Sequence, residues 1–152
     1  MARLTIPIMA TTYAIPDQAV RRPALRSATI LLVDGDRTYL EMTALPLERD
    51  GHAVLRATTS GAGFEIARRQ QPDIIFLDVV LPGDGLELLG RLKADPKTMD
   101  TPIVVVSGRC ERHLIDECRR IGAVDFVVKG MSIAATQGYA VQTFARPLRG
   151  GE

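Results

Sequence analysis

Between Ala28 and Lys129 the chain alternates two patterns. Short runs that are apolar at every position each meet a polar break, and apolar residues at helical spacing follow. Ile30 to Val33 is the first run and ends in Asp34-Gly35-Asp36. The next stretch predicts a helix to Arg49, with Tyr39, Leu40, Leu45 and Leu47 as core residues. Pro46 lies inside it and is expected to kink or shorten it, because proline lacks the amide donor and crowds the preceding turn. His52 to Ala57 reads as a second strand. Thr59 or Ser60 can cap a helix carrying Phe64, Ile66 and Ala67. Pro72-Asp73 ends that helix, and Ile74 to Leu77 is a third run, stopped abruptly by Asp78.

The same alternation continues. Leu86 to Leu92 predicts a helix, and Pro102 introduces Ile103 to Val106, closed by Ser107-Gly108. Glu111 to Ile121 predicts another helix with Gly122 as its stop. Val124 to Val128, interrupted by Asp125, leads to Lys129. Strands apolar on both faces belong to a parallel sheet covered on both sides. Five β-α units therefore predict a doubly wound α/β domain, a five-stranded parallel sheet with helices on both faces. Residues 28–145 form that domain. Residues 1–27, with Pro7, Pro16 and Pro23, read as an extended N-terminal arm, and 146–152 as a C-terminal tail. Ile133, Ala140, Val141 and Phe144 can form one face of a final helix.

Composition narrows the function classes. The chain has 152 residues, 46% hydrophobic and 24% charged, and a net charge of +1, which exclude a disordered chain and any global pull toward nucleic acid. No apolar run nears the roughly 18 residues of a membrane span. Basic residues gather in the arm (Arg3, Arg21, Arg22, Arg26), while the centre is acidic. Cys110 and Cys118 form no C-x-x-C pair; Cys118 is expected in the core and Cys110 near the surface. No signal peptide is evident, so a cytoplasmic protein is expected. Neither histidine, His52 or His113, has metal-ligand spacing.

In an open parallel sheet, functional groups gather at the carboxyl ends of the strands. Those ends here are Asp34 and Asp36, Asp78, Ser107 and Lys129. Clustered carboxylates repel unless a cation sits among them, and hard oxygen ligands suit Mg²⁺. A lysine and a hydroxyl supply the point charge and hydrogen bond that a phosphoryl group needs. Asp78 is then a candidate nucleophile toward phosphorus, forming an acyl phosphate.

The stretches ILLVDGD, PDIIFLDVVLPGDGLELL, TPIVVVSG and GAVDFVVKG resemble the receiver domain of two-component response regulators, in its order and nearly its spacing. The resemblance implies a flavodoxin-like receiver fold, with Asp78 as phosphoacceptor and Ser107 as the switch hydroxyl. It makes Lys129 the ion-pair partner of that hydroxyl's phosphate and Phe126 the aromatic switch. Mg²⁺ would be held by Asp34, Asp78 and the Val80 carbonyl, with Asp36 as a substitute acid. The phosphoryl donor would be a histidine kinase or a phosphotransfer protein. With no effector domain in the chain, output would pass to a downstream protein partner or to a homodimer, without DNA or membrane contact. Val80 and Arg109 stand where the family tunes phosphate lifetime, and apolar Val80 predicts a long-lived phosphoryl group.

Three positions depart from the family pattern. Gly35 stands where a second metal-binding acid is usual, which predicts weak Mg²⁺ binding. The loop Gly83-Asp84-Gly85 is one residue short, and Gly130 replaces a proline. Those departures favour an alternative, a receiver-like interaction module that works without phosphorylation. Asp34-Gly35-Asp36-Arg37-Thr38 also resembles the nucleophile motif of haloacid-dehalogenase-type phosphatases, but no acidic metal motif follows Lys129. An EF-hand loop from Asp34 lacks its required glycine and glutamate.

Overall fold

The computed structural model describes residues 27–130 and 133–145. Where a run is apolar at every position, a strand forms and is buried on both sides. The strands are β1 (Thr29–Val33), β2 (Ala53–Ala57), β3 (Ile74–Leu77), β4 (Ile103–Ser107) and β5 (Asp125–Val128). Between and after them lie helices α1 (Arg37–Arg49), α2 (Ser60–Gln70), α3 (Gly85–Ala94), α4 (Arg112–Ile121) and α5 (Ile133–Phe144). All strand pairs are parallel, in the order β2-β1-β3-β4-β5.

Alternate strand residues feed two cores. Leu31, Val33, Ile75, Leu77, Ile103 and Val105 join α2, α3 and α4 through residues such as Ala67, Leu89 and Cys118. Ile30, Leu32, Ile74, Phe76, Val104 and Val106 join α1 and α5 through Leu40, Leu47, Ala140 and Val141. The sheet is thus sandwiched, as the continuous apolar runs require. From β1 the chain goes outward to β2, then crosses to the other side as β3. That reversal opens a crevice at the carboxyl ends of β1 and β3.

Two local expectations are corrected. Helix α1 runs through Pro46 without interruption. The proline lies in the last turn, so only one intrahelical bond is lost near the end, and its carbonyl still accepts from the Asp50 amide at 3.0 Å. Leu45 is exposed rather than in the core, because the face that meets the sheet carries Leu40, Thr43, Ala44 and Leu47. His52 is a buried fastener: its Nδ1 accepts from the Ala28 amide at 3.1 Å and ties β2's start to β1. The expected arm and tail lie outside the described residues, apart from Ser27.

Candidate functional site

Asp34 and Asp78 follow the last residues of β1 and β3 and are carried to one edge by the parallel register, with Val33 opposite Leu77. Each is locked by backbone. The Asp34 amide donates to Ala57 O at 3.0 Å and the Asp78 amide to Val33 O at 2.9 Å. Each carboxylate then accepts from an amide two residues on: Asp36 N to Asp34 Oδ1 at 2.9 Å, and Val80 N to Asp78 Oδ1 at 2.8 Å. Both side chains are buried. The remaining oxygens share one cation. Lys129 Nζ lies 2.6 Å from Asp34 Oδ2 and 2.7 Å from Asp78 Oδ2. The same ammonium stands 4.3 Å from the centroid of the Tyr39 ring, within cation–π range.

Burial pushes the Asp34 carboxyl above its ordinary value, outweighing the opposite pull of Lys129 and the Asp36 amide; the nearby Asp78 charge adds to the rise. For Lys129, burial acts to lower the value, but its contacts with Asp34 and Asp78 together hold it above the ordinary one. The ammonium is therefore firmly protonated, and its two partners keep it in place.

Ser107 is fully buried at the end of β4. Its carbonyl accepts from the Lys129 amide at 2.9 Å, which fixes the lysine backbone beside it. Its hydroxyl accepts from the Arg109 amide at 3.1 Å and so closes its own loop. The Arg109 guanidinium is drawn aside to Glu111, at 2.8 Å. Phe126, opposite Val105 on β5, is half-buried against the α2-α3-α4 core. Val80 presents an exposed side chain beside Asp78.

Asp36 is placed differently from the sequence expectation. Its carboxylate turns back to cap α1, with Oδ1 accepting from Thr38 N at 2.9 Å and Tyr39 N at 3.2 Å. An aspartate at this helix start satisfies two otherwise unpaired amides, so its Oδ1 is committed to the cap. Among the described residues, no three acidic, histidine or cysteine side chains converge as a metal cage. The resemblance implies a Mg²⁺ ion at this edge. Here all four carboxylate oxygens of Asp34 and Asp78 already accept from Lys129 or from backbone amides. A cation bridging Asp34 and Asp78 through the two oxygens that face Lys129 would take the place that the ammonium holds in this arrangement.

The other departures have local reasons. In the shortened loop after Pro82, a Cβ on Gly85 would run into the Val79 backbone, so only glycine fits. Asp84 caps α3 through Leu86 N and Glu87 N, at 2.9 and 3.2 Å. Gly130 has φ of 104°, which proline cannot adopt. Sequence reasoning missed Tyr39. Its place three residues after a capping aspartate puts it in the first turn of α1, and that spacing was the available signal. Tyr39 and Thr43, with Asp34 and Asp78, line a cavity of only about 10 Å³, too small for an organic ligand.

Comparison with known proteins agrees with this geometry. The family model described as the response regulator receiver domain matches residues 30–138. Protein PilH of Pseudomonas aeruginosa is 33% identical over 103 residues, covering 67% of this chain and 85% of PilH. The phosphate regulon transcriptional regulatory protein PhoB of the same organism is 36% identical over 105 residues, 68% of this chain. The match takes in 46% of PhoB, so the chain corresponds to about half of that regulator. Chemotaxis protein CheY4 of Vibrio cholerae shares the fold, with a TM-score of 0.73 at 22% identity, over 78% of this chain and 99% of that structure. Five parallel strands in this order are matched in shape, the sequence is matched by the family model over residues 30–138, and the chain belongs to the response regulator receiver family.

Proposed function

We propose that Asp78 accepts a phosphoryl group from a phosphohistidine of a histidine kinase or phosphotransfer protein, and that the chain passes the signal to a protein partner. The observation that carries this reading is the Asp78 carboxylate, fixed by the Val80 amide and paired with Lys129 at a strand end. In the transfer, a carboxylate oxygen of Asp78 forms a bond to phosphorus as the donor's P–N bond breaks. The electron pair of that bond stays on the imidazole nitrogen, and a mixed anhydride remains on Asp78. Lys129, already at hydrogen-bond distance, offsets the negative charge carried by the phosphoryl oxygens. Ser107 exchanges the Arg109 amide for a phosphoryl oxygen, and Phe126 follows its movement. The α4, β5 and α5 surface then binds the partner or a second copy of the chain.

Intact-mass spectrometry after incubation with acetyl phosphate, with and without Mg²⁺, tests the reading. A single phosphoryl adduct is expected in the unmodified chain and none in Asp78→Asn. An adduct that survives Asp78→Asn and vanishes in Asp34→Asn would assign the nucleophile to β1 instead. One observation favours a second reading, an interaction module that works without phosphorylation: Asp36 is committed to capping α1, and Gly35 brings no acid. No adduct from either acetyl phosphate or a cognate kinase selects it.

A further inference from the structure

We propose that Arg56 keeps the outer edge of β2 closed to a second copy of this chain, which would otherwise pair with it strand to strand. The inference makes no use of the carboxylates at the strand ends and is independent of phosphoryl transfer to Asp78.

Strand β2 ends the sheet on one side, so half of its backbone groups have no neighbouring strand. The pairing shows which half. The Ala53 amide donates to Ala28 O at 2.9 Å, and Ala57 O accepts from the Asp34 amide at 3.0 Å. Backbone direction alternates along a strand. Leu55 therefore faces β1 as well, while Val54 and Arg56 turn their amides and carbonyls outward. These two residues stand symmetrically about Leu55. A second β2 laid antiparallel about Leu55 sets each Val54 opposite the other copy's Arg56, and each such pair can exchange two N–H···O bonds. The edge is thus complementary to itself about a two-fold axis.

In the single chain a side chain of the strand itself occupies that edge. Arg56 Nη1 donates to Val54 O at 3.1 Å, which takes the Val54 acceptor and lays the guanidinium across the edge. Two acids of α1 hold it there. Nε donates to Glu41 Oε1 at 2.8 Å, and Nη2 lies 2.9 Å from Glu48 Oε1. Every guanidinium nitrogen therefore has an oxygen partner. Glu41 and Glu48 stand two turns apart on one stripe of α1, and Leu45 lies between them on it. Leu45 is 48% exposed, so this stripe presents an apolar side chain beside unpaired strand backbone. Such an edge is a template for another chain, and a charged side chain laid over it is a common safeguard. A second copy would have to displace Arg56 from Val54 O before the two strands could meet.

Sedimentation equilibrium of the full chain beside Arg56→Met tests the closure. Arg56→Met keeps an unbranched stem and loses every donor. It is expected to shift toward twice the mass of one chain as concentration rises, with self-association at least about tenfold tighter than in the unmodified chain. Association through any other face is common to both proteins and drops out of the comparison. Hydrogen exchange locates the contact. The outward amides of residues 54 and 56 are expected to exchange fast in the dilute unmodified chain and to slow at high concentration in Arg56→Met. Val54→Pro added to Arg56→Met removes an outward donor without touching the ladder to β1, and is expected to restore the mass of the unmodified chain. Arg56→Lys keeps the charge but brings one nitrogen to three partners; it is expected to associate too, and replaces Arg56→Met should that variant not fold. The inference is overturned by a folded variant of either kind that gains no association, by association that survives Val54→Pro, or by slow exchange at Val54 in the dilute unmodified chain.

Discussion

Asp34 and Asp78 follow strands β1 and β3, and the whole of β3 is buried. Lys129 and Phe126 belong to the other half of the site, at β5, where every strand residue is only half-buried. The carboxylates are held by backbone amides on both the chain and side-chain level, while Lys129 reaches them along a flexible stem and Ser107 is tied to its own loop. The difference teaches how one domain can keep its chemistry fixed and still respond. On the proposed reading, the reacting Asp78 follows a wholly buried strand, while Lys129 and Phe126, which answer it, sit at a strand that is only half-buried.

Truncating each layer breaks the comparison most strongly. Leu77→Ala in β3 is expected to cost about 2–5 kcal/mol, as for other fully buried leucines. Val127→Ala in β5 is expected to cost about 1–2 kcal/mol, because its side chain is half-buried. Urea unfolding of the two variants measures the contrast, and equal losses would remove it.

Lys129→Met tests the charge that joins the halves. It leaves two buried carboxylates without their counter-ion, and a loss on the order of 2–4 kcal/mol is expected at neutral pH. The pH dependence has a definite sign. Asp34 binds its proton more tightly folded than unfolded, so its contribution falls as pH rises from about 3.9 through its raised value, then levels off. Lys129 acts at the other end: its stabilisation is complete below about 10.4 and is lost as pH rises through its raised value. Removing the ammonium therefore steepens the acid-side slope and abolishes the alkaline loss. Unfolding midpoints across pH, with chelator present, compare the two chains.

The smallest effect is expected at Asp36. Asp36→Ala removes an N-cap and is expected to lower stability by about 1 kcal/mol. As a capping residue only, it leaves Mn²⁺ affinity unchanged; a large drop in that affinity would return Asp36 to the metal set.

Most of this organisation was legible in the chain. Ile74 to Leu77 and Ile103 to Ser107 stand out because runs apolar on both faces have no other place than a covered sheet. The polar residues ending them then fall on one edge by topology alone. Leu45 was misplaced because a helix of this length has several apolar faces to choose from, and only packing selects one. The cap made by Asp36 was not legible, since an acid after a strand can ligate or cap and spacing does not separate the two. The closeness of Gly35 to Pro82, where an added Cβ would lie 3.0 Å from Cδ, joins loops that follow different strands. No local pattern encodes such a contact, and it emerges only when β1 and β3 lie side by side.

The ring of Tyr39 beneath the ammonium has a practical consequence. The chain contains no tryptophan and three tyrosines, so its near-ultraviolet spectrum is a tyrosine spectrum. At 4.3 Å from Nζ, the Tyr39 phenol absorbs and emits in the field of a single positive charge. Drawing Lys129 toward an incoming anion, or expelling it with a metal, changes that field. The protein thus carries its own optical gauge of the ammonium's position, readable in solution without any label.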